Sequence, residues 1–90
     1  MNPKPKPQQK TGFLLEELDG ELMLYSLATT KIFALNQSAA LIWQLCNGAY
    51  TVGEITEALI EAYPESQAEI GPQVAQTLAL LERHGAIEWC

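Results

Sequence analysis

Apolar positions along this chain change period once, near residue 36. Before that point they alternate, as on strands; after it they recur every three to four residues, as on helices. Phe13–Leu18 predicts a first strand. Asp19-Gly20 follows, a two-residue hairpin signal, because both residues tolerate positive φ. Residues 21–27 predict a second strand, with Leu22 and Leu24 on one face and Met23, Tyr25 and Leu27 on the other. Both faces are apolar, so both are expected to be partly covered. Ala28-Thr29-Thr30 makes a short turn into a third strand over residues 31–35. Ile32 is β-branched and Phe33 aromatic, which suits a pleated, half-buried surface. Leu35 leads onward and is expected to face the core with Phe33, leaving Ile32 and Ala34 opposite. The expected sheet is a three-stranded antiparallel meander.

Helical periodicity begins with almost no loop. Asn36 is a good N-cap, since its side-chain oxygen can accept from the backbone N–H of Ser38 or Ala39. Ala39, Ile42, Trp43 and Cys46 share one face, widened by Leu41 and Leu45, and Gly48 is a C-terminal stop. A first helix over residues 37–47 follows. Thr51 and Glu54 spell a capping box ahead of a second helix over residues 52–63, with Ile55, Leu59 and Ala62 inward and Pro64 ending it. Gly71-Pro72 interrupts the next periodic stretch. Proline suits a first turn and not an interior, so the main third helix is expected to start near Pro72 and end at Arg83 or His84, after a short helical turn. Val74, Leu78 and Leu81 form its apolar stripe, flanked by Ala75 and Thr77. Gly85 caps it, and residues 86–89 predict an extended segment against the sheet.

Ninety residues suffice for one modest core. Hydrophobic residues at 48% and charged residues at 18% place the chain among globular rather than disordered sequences. Residues 1–12 differ: Pro3, Pro5 and Pro7 alternate with Lys4 and Lys6 and run into glutamine, predicting an extended, mobile tail before a folded domain over residues 13–90. No apolar run is long enough to span a bilayer, and the N-terminus has no apolar centre, so neither a membrane span nor a secretory signal is expected. The formal net charge is −6, and Lys31 and Arg83 are the only Lys or Arg beyond the tail, which argues against a nucleic-acid partner. Cys46 and Cys90 match no metal or redox spacing. Cys46 is expected to be a buried free thiol, and the cytoplasm the expected compartment.

Catalytic material is sparse. His84 is the lone histidine, so no His-based metal set or Cys–His pair arises; at a helix end it complements the dipole. Glu16, Glu17, Asp19 and Glu21 cluster at the hairpin and read as a solvated turn. The glycines are isolated, so no phosphate loop forms. No enzyme activity, metal or cofactor is expected. The sheet edge is more informative. The third strand has no charge after Lys31 and no proline, and such an edge invites an incoming peptide to add a strand unless the C-terminal segment or a second copy in a homodimer shields it.

The run Leu35-Asn36-x-Ser38-Ala39-x-x-Ile42-Trp43-x-Leu45-x-Asn47-Gly48 resembles the hallmark of the PqqD-like family, as do Thr51-Val52-x-Glu54-Ile55 and Leu78…Leu81…Gly85-Ala86-Ile87. The resemblance covers about residues 13–88. It implies an α+β, winged-helix-like domain, a three-stranded antiparallel sheet followed by three helices, that serves as a precursor-peptide recognition element. Such domains bind the leader segment of a ribosomally made peptide and present it to a modifying enzyme, often a radical S-adenosylmethionine (SAM) maturase. The implied site is an added strand beside Lys31, Ile32, Phe33, Ala34 and Leu35, in a groove completed by Val74, Thr77, Leu78 and Leu81. Members devoted to pyrroloquinoline quinone usually carry a Tyr-Pro-Glu-Gly-like turn before the third strand. Tyr25-Ser26-Leu27-Ala28-Thr29-Thr30 stands there instead, which points to a relative serving another modified peptide.

Two other classes compete with this adaptor. A winged-helix regulator would bind DNA, and an unchanged gel shift at low salt would remove it. A purely structural subunit would dimerise through its sheet edge, and titration with leader peptides would separate it from an adaptor.

Overall fold

Alternation produces the expected meander. The computed structural model describes residues 5–29 and 31–89; Thr30 of the expected turn, Cys90 and residues 1–4 lie outside them. Strands β2 (Phe13–Leu18), β3 (Glu21–Ser26) and β4 (Ile32–Leu35) form an antiparallel sheet in that order. Asp19 and Gly20 both adopt positive φ, 53° and 83°, the turn that matches strand twist. Register places Leu15, Leu24 and Phe33 in one row and Leu22 opposite Leu35. Leu24 and Leu35 are buried and Ile32 and Ala34 exposed, as the alternation predicts.

Helix α1 (Gln37–Leu45) starts where Asn36 Oδ1 accepts from the Ala39 N–H at 2.7 Å. It ends two residues before the expected Asn47. The reason lies in residues the sequence reading assigned to a mobile tail. Pro7–Gln9 is a strand, β1, and it takes up the end of α1: the Gln9 N–H donates to the Cys46 carbonyl at 2.7 Å, and the Gly48 N–H donates to the Pro7 carbonyl at 3.0 Å. The expectation of a tail over residues 1–12 is therefore corrected at residues 7–9, where Pro7 is fully buried. A second correction follows. The C-terminal strand β5 (Ile87–Trp89) pairs antiparallel with β1, not with the three-stranded sheet.

Helix α2 (Val52–Ala62) carries the predicted capping box in full, with Thr51 and Glu54 each accepting from the other's N–H. Ile55 and Leu59 are buried, whereas Ala62, expected inward, is exposed on the last turn. A 3₁₀ turn, Pro64–Ser66, leads into α3 (Gln67–Arg83), which runs unbroken through Pro72. The expected start near Pro72 is thus wrong by a full turn. Ile70, 1% exposed, anchors the early turn in the core. Gly71 has no Cβ to collide with the proline ring, which relieves the usual restriction on the residue before proline. At the other end Gly85 takes φ 72°, and the Gly85 and Ala86 N–H groups donate to the Glu82 and Leu81 carbonyls, a Schellman closure.

One core joins the layers. Leu24 and Leu35 of the sheet meet Ile42, Trp43, Ile55, Leu59, Val74 and Leu81. Cys46 belongs to it: its Sγ donates to the Ile42 carbonyl at 3.1 Å, and burial pushes its thiol up to about 12. It is a free cysteine, packed as a small apolar residue. Among the described residues no helix is long and apolar enough to cross a membrane.

Candidate functional site

The candidate site is built from the outer edge of β4, which no strand among the described residues covers, and the flank of α3 beside it. Hydrogen-bond phase decides what that edge offers. The Ser26 N–H donates to the Lys31 carbonyl at 3.0 Å, and the register continues Tyr25↔Ile32, Leu24↔Phe33, Met23↔Ala34, Leu22↔Leu35. In an antiparallel pair, directly opposed residues alternate between exchanging hydrogen bonds and not doing so. Lys31, Phe33 and Leu35 therefore direct their backbone groups at β3. Ile32 and Ala34 direct theirs away from it, at an edge that no strand among the described residues covers. The C-terminal segment, one expected shield, is engaged with β1 instead.

Along this edge lies a recess of about 310 Å³ between Ala34, Leu35, Asn36 and Ala39 on one side and Gln73, Gln76, Thr77 and Leu80 on the other. Its width is set at both ends. Near the start of α1, Gln73 Nε2 donates to Ser38 Oγ at 2.5 Å, and Ser38 Oγ donates to Asn36 Oδ1 at 3.0 Å. At the far end the His84 ring stacks on Phe33, centroids 4.4 Å apart and planes 21° from parallel. A second recess shares Ala34, Leu35 and Asn36 with this one and is lined by Gln37 and by Glu17 and Glu21 of the hairpin.

The structure places the predicted residues in two groups. Lys31, Ile32 and Ala34 are exposed at the edge, Phe33 is half-buried against His84, and Leu35 is buried beneath the recess. Thr77, although buried, lines the recess. Val74, Leu78 and Leu81 do not join them: at 0%, 3% and 0% exposure they are core and offer a peptide no surface. The α3 residues that line the recess with Thr77 are Gln73, Gln76 and Leu80 of the adjacent flank. Sequence reasoning missed it because an apolar stripe marks the buried side of a helix, and the groove lies one flank away, on mixed residues. The available signal was their spacing of three and four. His84 is both the C-cap of α3 and the stacking partner of Phe33. On the outer sheet face the Tyr25 hydroxyl donates to Glu16 Oε1 at 3.0 Å, and that bond, with lesser help from desolvation and the Glu16 charge, raises the phenol above its usual range. Among the described residues no group of three or more His, Cys, Asp or Glu could hold a metal ion.

An α+β domain of winged-helix type, with a strand edge that no described strand covers beside a helix, is the class that the fold defines. Within it, the chain belongs to the family described as Coenzyme PQQ synthesis protein D (PqqD), which matches residues 21–87. No curated protein matches the chain significantly. Two solved structures share its fold. One is described as TbiB1 in complex with the TbiA(beta) leader peptide, at TM-score 0.72 and 21% identity, covering 90% of this chain and 94% of that one. The other is lasso peptide synthetase B1 complexed with the leader peptide, at TM-score 0.74 and 17% identity, covering 92% and 98%.

Proposed function

We propose that this domain is a non-catalytic adaptor that holds the leader segment of a ribosomally made precursor peptide as an added strand on β4 and presents it to a modifying enzyme. The observation that carries the reading is the free edge, with the Ile32 and Ala34 backbone groups turned outward beside a recess of fixed width. Family membership supports it, and so do the two similar structures, each described with a leader peptide bound. An added strand places alternate side chains over the recess, against Thr77, Leu80 and Phe33, and the others on the outer face beside Ile32. Backbone bonds then supply affinity and the recess supplies specificity. The modifying enzyme, a radical SAM maturase in the simplest extension of the family resemblance, contributes the chemistry. A cytoplasmic setting fits the buried free thiol.

The test is calorimetric titration with synthetic leader segments of short precursors encoded beside this gene, circular dichroism confirming the fold of each variant. The unaltered domain is expected to bind. Ile32→Pro and Ala34→Pro each remove an N–H that faces the added strand, without touching the β3 ladder, and are expected to weaken binding at least about tenfold while remaining folded. Phe33→Pro removes a ladder bond to β3 and is expected to lose stability first. Folded Ile32→Pro and Ala34→Pro variants that bind normally would move the site elsewhere.

A further inference from the structure

The cationic residues of the folded chain lie toward one end of β4, and the hairpin acids toward the other. Lys31 precedes β4, and by strand alternation it shares the face of Phe33, the side on which α3 lies. Phe33 stacks on His84, so Lys31 and the neighbouring Arg83 border the same end. Arg83 continues the helix flank of Gln76 and Leu80, at steps of four and three residues. The Lys10 N–H donates to the Ala86 carbonyl at 3.0 Å, which brings a third cationic residue beside the end of α3. Glu82, the nearest acid in sequence, is directed elsewhere: its Oε2 accepts from Trp89 Nε1 at 2.7 Å. Lys31 and Arg83 are exposed, and no ion pair among the described residues holds either. The opposite end of β4, at Ala34, Leu35 and Asn36, adjoins the recess lined by the hairpin acids Glu17 and Glu21. In a chain of net charge −6 with only two Lys or Arg after residue 10, one precedes β4 and the other adjoins the His84 that stacks on Phe33.

We infer that the peptide this groove accepts carries an acidic side chain at the Lys31–Arg83 end and that charge sets the placement of the bound strand. The inference rests on the peptide-binding reading and adds the chemistry of its ligand. Backbone bonds to Ile32 and Ala34 are blind to side chains, so they cannot choose between registers along the edge. Charge can. An aspartate or glutamate is attracted at the Lys31–Arg83 end. Slid toward the Leu35 end, the same carboxylate leaves both cations and approaches the side of the sheet that carries Glu17 and Glu21, so the right placement is favoured over the wrong one. The groove is open to solvent, so each pair contributes a modest preference rather than the bulk of affinity.

The experiment is selection from a displayed library of random twelve-residue peptides, run on the unaltered domain, on Lys31→Glu/Arg83→Glu, and on the milder Lys31→Gln/Arg83→Gln. The unaltered domain is expected to enrich peptides with Asp or Glu at a fixed distance from an apolar anchor. The Gln pair should keep the anchor and lose the acidic preference. The Glu pair should prefer Lys or Arg at that place and bind the original peptides about tenfold more weakly, with the gap closing as salt rises. An unaltered domain that enriches peptides without charge preference overturns the inference, as does an acidic preference that survives in the folded Gln pair. Failure of the unaltered domain to enrich any peptide overturns instead the peptide-binding reading beneath it.

Discussion

At the residue scale, two side chains show how differently a sequence assignment can be realised. Asn36 is an N-cap as its type predicts, and the structure adds a second duty: its Oδ1 also receives Ser38 Oγ, which in turn receives Gln73 of α3. Asn36→Ala is expected to cost about 1 kcal/mol, read as a lower urea midpoint at unchanged slope. Trp43 is core, 6% exposed, but its Nε1 has no hydrogen-bond partner among the described residues. Trp43→Ala should therefore cost roughly 3–5 kcal/mol through the cavity it leaves. Trp43→Phe should cost far less, because it keeps a ring in place and removes a buried donor that is unpaired. Equal losses for the two substitutions would show that the indole N–H is satisfied in solution.

At the element scale, local signals held wherever they were self-contained and failed where packing overruled them. The Asp19-Gly20 turn, the Thr51–Glu54 box and the Gly85 closure each depend on a few adjacent residues, and each forms. Pro72 is the contrary case. A proline five residues into a helix removes one i→i−4 bond, that to Ala68, yet α3 continues, because Ile70 before it and Val74 after it are both buried. The helix is thus held by its packed face against its own backbone cost. Pro72→Ala restores the missing donor and is expected to raise stability by about 1–2 kcal/mol, the gain being reduced by the freer unfolded chain. A lower melting temperature for this variant would mean that the proline ring itself packs usefully.

At the scale of the whole molecule, β1 is the piece that closes the domain. It donates to Cys46 at the end of α1, accepts from Gly48, pairs with β5, and sends Gln9 Nε2 to the Trp43 carbonyl at 2.9 Å. Removing residues 1–9 breaks these bonds together and uncovers the core around Pro7. The expected loss is roughly 2–4 kcal/mol, at about 1 kcal/mol net per bond, read by thermal denaturation of the truncated chain. A truncated domain as stable as the full chain would return this segment to the role of a solvated tail.

The sequence by itself determined the meander, the three helices, the facing of Phe33 and Leu35 against Ile32 and Ala34, and the scarcity of Lys and Arg, because each follows from period, capping chemistry or count. It also carried the family, through motifs in the first helix and its flanks. What only the tertiary structure decided were pairings between distant residues. Nothing in Pro7-Gln8-Gln9 signals a strand, since proline and glutamine have poor strand propensity; the segment is ordered by partners at residues 46–48 and 86–89. The groove was misread for a related reason. Apolar type identifies the side of α3 that is buried, whereas the candidate groove lies where burial stops, beside Gln76 and Leu80. Those residues border a candidate groove only because β4 ends up alongside them, with two of its backbone positions facing outward.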